Sequence, residues 1–202
     1  EIGIAILRGL SAAHERLDAP GEPSPVFHRD VTPSNVLMSR HGAIKLGDFG
    51  ISRAMDRITM TTPGVVRGKI AYVAPELLAG KRASVASDLY GVGVLLWEAA
   101  TRRRLHEGLS DLELFVKAGK GEHDALGEIR PDVPVALVQA VDRLLAPNPA
   151  ERYPSARAAI EDLAAAGGGD AGDGAPVSAA GLSTAKLAAG GCIEAVDHVA
   201  RG

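Results

Sequence analysis

Three polar residues stand out by type and spacing: Asp30, Asn35 and Asp48, each set among apolar neighbours. The first two lie in His28-Arg29-Asp30-Val31-Thr32-Pro33-Ser34-Asn35, the third in Ile44-Lys45-Leu46-Gly47-Asp48-Phe49-Gly50. An isolated carboxylate can accept or orient a hydroxyl proton. A side-chain amide and a second carboxylate are hard oxygen ligands of the kind magnesium takes alongside substrate phosphates. The set suits phosphoryl transfer, a reaction in which positioning and charge neutralisation leave little covalent work to the protein.

Such groups need elements to hold them. Val36, Leu37 and Met38 form one apolar run, Ile44 and Leu46 alternate in the next, and His41-Gly42 supplies a turn signal between them. A hairpin of this kind brings Asn35 and Asp48 to the same end, with Asp30 on the loop just before it. Upstream, Ile2, Ile6, Leu7, Leu10, Ala13, His14 and Leu17 keep helical periodicity over residues 1–18. His14 reads there as a packed helix residue, because no partner lies at metal-ligand spacing. The proline-rich stretch 19–25 cannot be helix.

Downstream, residues 89–98 are apolar on nearly every face, which predicts a buried helix. The segment is too short for a membrane span, which takes about 20 apolar residues. Arg102-Arg103-Arg104 reads as a solvated helix end. Residues 110–118, 134–146 and 155–165 carry helical spacing between Gly and Pro breaks. From there Gly, Ala, Ser and Asp take over, so that residues 1–165 read as one folded unit and 166–202 as a disordered tail or linker. Gly167 to Gly172 match G-x-G-x-x-G, but the match follows an Ala-rich helix rather than a strand and is rejected.

The order and intervals of three motifs carry a resemblance. His-Arg-Asp with Asn35 five residues after Asp30, then Asp48-Phe49-Gly50, then Ala74-Pro75-Glu76, resemble the carboxyl-terminal lobe of a eukaryotic-type protein kinase of the serine/threonine, bacterial-like kind. The resemblance implies a mostly helical lobe (α+β for the family as a whole) with a short β-hairpin at the cleft. ATP and Mg2+ would be the cofactors, and a protein hydroxyl the acceptor. By the same resemblance Asp30 receives or orients the hydroxyl proton, and Asn35 and Asp48 hold metal and nucleotide. His28 packs beneath Phe49, and Gly50 completes the metal-binding triplet. Glu76 and Arg152 form a buried pair, a task suited to a planar bidentate contact. Asp88 accepts hydrogen bonds from the backbone of the loop that carries Asp30.

Two positions depart from the family pattern. Thr32 stands where serine/threonine kinases usually have Lys, and Lys69 where they usually have Thr. One reading has the two side chains exchanged: Lys69 supplies charge near the transferring phosphate while Thr32 hydrogen-bonds Asp30. The other has Lys69 in solvent and the site impaired. Thr59, Thr61 and Thr62 cluster in the segment between the last two motifs, where phosphate could be clamped by Arg29. Threonines common to any exposed loop are the plainer account.

No glycine-rich phosphate-covering loop, strand Lys or partner Glu can be placed upstream, so the chain is expected to be a fragment without the ATP-binding lobe and inactive alone. A pseudokinase scaffold and a kinase-like small-molecule phosphotransferase are the alternatives. The absence of the tyrosine-kinase Ala-Ala-Arg pattern points to serine and threonine as acceptors. With 202 residues and a formal net charge of −3, the composition suits one ordinary domain and gives no sign of a nucleic-acid or membrane-surface binder. The single cysteine, Cys192, allows no internal disulfide, and no signal peptide or membrane segment is visible. The expectation is a reducing, cytoplasmic setting.

Overall fold

The computed structural model describes residues 1–49 and 69–168. Among these residues the chain is mostly helical, with one two-stranded antiparallel sheet. Helix α1 spans Ile2–His14, and its buried residues Gly3, Ile6, Leu7 and Leu10 repeat the spacing read from the sequence. A short 3-10 turn, Pro33–Asn35, leads into β1 (Val36–Met38), which pairs with β2 (Ile44–Leu46) in the register Val36 to Leu46. Gly42, at φ 82°, makes the expected turn. The helices that follow up to Leu144, each lying wholly within the described residues, are α2 (Pro75–Leu78), α3 (Val85–Thr101), α4 (Asp111–Lys120), α5 (Leu126–Ile129) and α6 (Val135–Leu144). The last described helix, α7, spans Ala156–Gly168, so it runs past the boundary expected after residue 165.

Helix α3 is the axis of the molecule. Leu89, Tyr90, Val92, Val94 and Trp97 on it are each at most 2% exposed, as its unbroken apolar sequence requires. Its start is set by a reciprocal capping box between Ser84 and Ser87, which satisfies two end groups of the helix. One core cluster packs α1, the hairpin, α6 and α7 around Leu89 and Val92. A second gathers Tyr72, Leu105, Leu126, Val141 and Leu145 around Tyr90, Val94 and Trp97. Close approach explains one glycine: a Cβ on Gly91 would stand 2.9 Å from the Cβ of Val31, so the loop carrying Asp30 lies directly on the helix.

Candidate active site

The loop before the hairpin is held by one buried carboxylate. Asp88, 2% exposed and in the first turn of α3, accepts the backbone N–H of His28 at 2.8 Å through Oδ2 and that of Arg29 at 2.9 Å through Oδ1. Arg29 has φ +70°, a conformation that costs a non-glycine residue about 1–3 kcal/mol unless its surroundings impose it. The two amide bonds to Asp88 impose it here. Asp88 Oδ2 also meets His14 Nε2 at 2.8 Å, and the His14 ring lies 5.8 Å from that of Phe27. His14 is therefore more than a packed helix residue. Its partner lies 74 positions away, beyond any local reading.

His28 is fully buried and links the two halves of the site. Its Nε2 stands 2.7 Å from the carbonyl oxygen of Gly47, an atom that only accepts, so the ring donates there. Its Nδ1 then accepts the backbone N–H of Asp30 at 3.3 Å. Both contacts together require the neutral ring protonated at Nε2. Phe49 sits edge-on to it, with ring centroids 4.6 Å apart, as expected.

Asp30 is the point of convergence. Its Oδ2 accepts from Lys69 Nζ at 2.6 Å and from Asn35 Nδ2 at 3.2 Å, and the same amide donates to the Asp30 carbonyl at 2.7 Å. Oδ1 of Asp30 has no partner among the described residues. The pair with Lys69 is asymmetric in exposure, 44% for the lysine side chain and 12% for the aspartate. Lys69 thus does not point away into solvent.

The other half of the expected exchange is not formed. Thr32 Oγ1 bonds Ser34 Oγ at 2.9 Å instead of Asp30. Thr32 is the extended residue before the Pro33–Asn35 turn, and a hydroxyl two residues on is the nearer partner.

Asn35 is 7% exposed, and because its nitrogen is committed to Asp30, its carbonyl oxygen is the end left for a cation. The N–H of Gly47 donates to the Asn35 backbone oxygen at 2.8 Å, which extends the hairpin by one rung and sets Asp48 beside that end. Asp48 is exposed, has φ +58° and has no hydrogen-bond partner among the described residues. An amide oxygen and an unpartnered carboxylate are a donor set that fits magnesium. Leu37, 51% exposed on β1 against Gly47, adds an apolar surface that sequence reasoning passed over. Gly50, Thr59, Thr61, Thr62 and Cys192 lie outside the described residues.

A sequence model of the protein kinase domain matches residues 1–163. The chain belongs to the protein kinase family. Among curated kinases it is similar to the tyrosine-protein kinase MasK of Myxococcus xanthus, 39% identical over 156 residues that make up 77% of this chain and 24% of MasK. The serine/threonine-protein kinase PknL of Mycobacterium tuberculosis is 36% identical over 160 residues, 79% of this chain and 38% of PknL. PknA of the same organism is 38% identical over 130 residues, 64% of this chain and 30% of PknA. The chain thus spans about a quarter to two fifths of the length of these relatives. Kinases generally use ATP and Mg2+.

Away from Asp30, Glu76 and Arg152 form a bidentate pair: Nη1 donates to Oε1 at 2.7 Å and Nη2 to Oε2 at 2.9 Å, with side chains 5% and 0% exposed. Arg152 also donates to the carbonyls of Ala146, Ala86 and Pro147, so its buried charge is fully satisfied. Its guanidinium lies 4.8 Å from the centroid of the Tyr90 ring. Burial pushes the Tyr90 phenol up to about 12. Arg102, Arg103 and Arg104 are exposed, as a solvated helix end requires, and Arg104 in addition contacts Tyr72 and Glu98. No helix among the described residues is long and apolar enough to cross a membrane.

Proposed function

We propose that the complete protein is an ATP-dependent serine/threonine kinase and that this chain supplies its acceptor-side machinery. The observation that carries the reading is the convergence of Lys69 and Asn35 on Oδ2 of Asp30, with Oδ1 left for a substrate hydroxyl as far as the described residues go. Asp30 is the catalytic residue that receives or orients that proton as the oxygen attacks phosphorus. Asn35 and Asp48 would hold Mg2+, which when bound neutralises phosphate charge. Lys69 places a cation beside the attacking oxygen. Arg29 would clamp phosphate carried by Thr59, Thr61 or Thr62.

The chain alone is proposed to be inactive, because the hairpin offers one wall for a nucleotide and the described residues offer no second. Residues 1–165 are the part of the kinase domain proposed to fold, with 166–202 as linker. The partners are ATP and a protein substrate, in a cytoplasmic setting.

Autophosphorylation of the complete protein with magnesium-ATP, compared with Asp30→Ala, tests the reading. Activity should vanish in the variant, and an inactive parent would point to a pseudokinase. A tyrosine acceptor has the name of MasK in its favour. Phosphoamino acid analysis of the product separates the two acceptors, with phosphoserine or phosphothreonine expected.

A further inference from the structure

Lys69 is a half-exposed lysine whose one polar side-chain contact among the described residues is Asp30. A four-carbon stem ending in a freely rotating ammonium does not hold such a contact by itself. What fixes the start of that stem is the turn that follows. The N–H of Tyr72 donates to the Lys69 carbonyl at 3.0 Å, and that of Val73 to the Ile70 carbonyl at 3.1 Å.

The far end of this turn is tied to the end of α3. The Tyr72 hydroxyl donates to Glu98 Oε2 at 2.6 Å and accepts from Arg104 Nη1, which also reaches Glu98 Oε2 at 3.3 Å. Glu98 Oε1 accepts the backbone N–H of Leu105 at 3.0 Å. The phenol and both carboxylate oxygens are thus fully engaged. Burial and the Glu98 carboxylate raise the Tyr72 hydroxyl above the ordinary tyrosine value, which keeps it a donor. The ring itself is 7% exposed among Tyr90, Val94, Trp97 and Leu105, so its packing does not depend on the hydroxyl.

We propose that Tyr72 is a positioning residue whose hydroxyl, through Glu98 and Arg104, fixes the turn that aims Lys69 at Asp30. The inference deepens the phosphoryl-transfer reading and rests on it only for the consequence in turnover. Tyr72→Phe keeps the ring and the Glu98–Arg104 pair and removes the tie.

Two measurements separate the claims. In the 202-residue chain, the rate at which an acylating reagent modifies Lys69 is followed by mass spectrometry, with Lys81 and Lys120 as internal references. Tyr72→Phe should raise the Lys69 rate about fivefold, the factor that loss of one ordinary hydrogen bond corresponds to, and Asp30→Asn should raise it at least as much. The reference lysines should not change, which excludes general loosening. A Lys69 rate in Tyr72→Phe equal to that of the unaltered chain overturns the proposal, and so does an unaltered rate in Asp30→Asn. In the complete kinase, Tyr72→Phe should lower kcat with little change in KM for ATP, and should add nothing to Lys69→Met. If the modification result holds while both variants keep full kcat, the role given to Lys69 in turnover fails and the positioning by Tyr72 stands.

Discussion

Asp88→Asn is the sharpest test of how the loop that carries Asp30 is held. The exchange keeps shape but not acceptor capacity: one oxygen remains, and an NH2 group turns toward a backbone N–H that the carboxylate had accepted. Asp88 receives three contacts, from the amides of His28 and Arg29 and from His14 Nε2, all between 2.8 and 2.9 Å. A hydrogen bond to a charged group contributes about 1.5–3 kcal/mol, so losing one outright and weakening another costs about 2–4 kcal/mol. The left-handed Arg29 makes the loss local, because the backbone there can relax once one amide is released.

Urea unfolding of the chain, followed by the fluorescence of its single tryptophan, buried Trp97, measures the total. Hydrogen exchange at the amides of His28 and Arg29 measures the local part, and both should lose protection beyond the global change. A loss of stability under about 1 kcal/mol, with both amides still protected, would refute the reasoning.

Three further outcomes are expected. Arg152→Met should destabilise by about 3–5 kcal/mol in the same urea experiment, because Glu76 is left buried and unpaired. Glu76→Gln should cost less, since three backbone carbonyls still hold the guanidinium. Gly91→Ala should destabilise by about 1–3 kcal/mol by pressing on Val31, whereas Gly119→Ala, with open space around it in α4, should stabilise by about 0.5–1 kcal/mol. His106 is held down to about 4 by burial first and then by His123 and Lys117, and its Nε2 has no partner among the described residues. Because the unfolded chain then binds the proton more readily, stability should fall as pH drops from about 6.5 toward about 4, by about 1–2 kcal/mol after allowance for solvent screening. His106→Gln should flatten that slope in unfolding curves taken across the window.

Much of the site was legible because it is built from short-range pattern. The runs at Val36–Met38 and Ile44–Leu46 specify a ladder, and the ladder carries Asn35 and Asp48 to one end without help from the rest of the chain. The buried character of α3 followed from composition alone. The Thr32 hydroxyl was misplaced because a side chain before a turn bonds its own neighbours first, and the sequence does not rank Ser34 against Asp30. The side-chain bonds of His14, read as a packed helix residue, and of Arg104, read as part of a solvated helix end, were not legible for a different reason. Each bonds a group brought near only by tertiary packing, Asp88 in one case and Tyr72 in the other. The boundary after residue 165 falls inside α7 because alanine favours helix whether or not large apolar residues accompany it.

The amide of Asn35 has one more consequence. Aspartate would serve a magnesium ion at least as well, yet a carboxylate in this position would set an oxygen against the Asp30 carbonyl where a nitrogen now sits at 2.7 Å, and against the Asp30 carboxylate at 3.2 Å. Two anions and a lone pair would then repel one another beside a largely buried Asn35 position, 7% exposed. The neighbouring carboxylate is thus reason enough for asparagine here, whatever cation it would hold, and Asn35→Asp should disturb the acid beside it before it alters any affinity for cations.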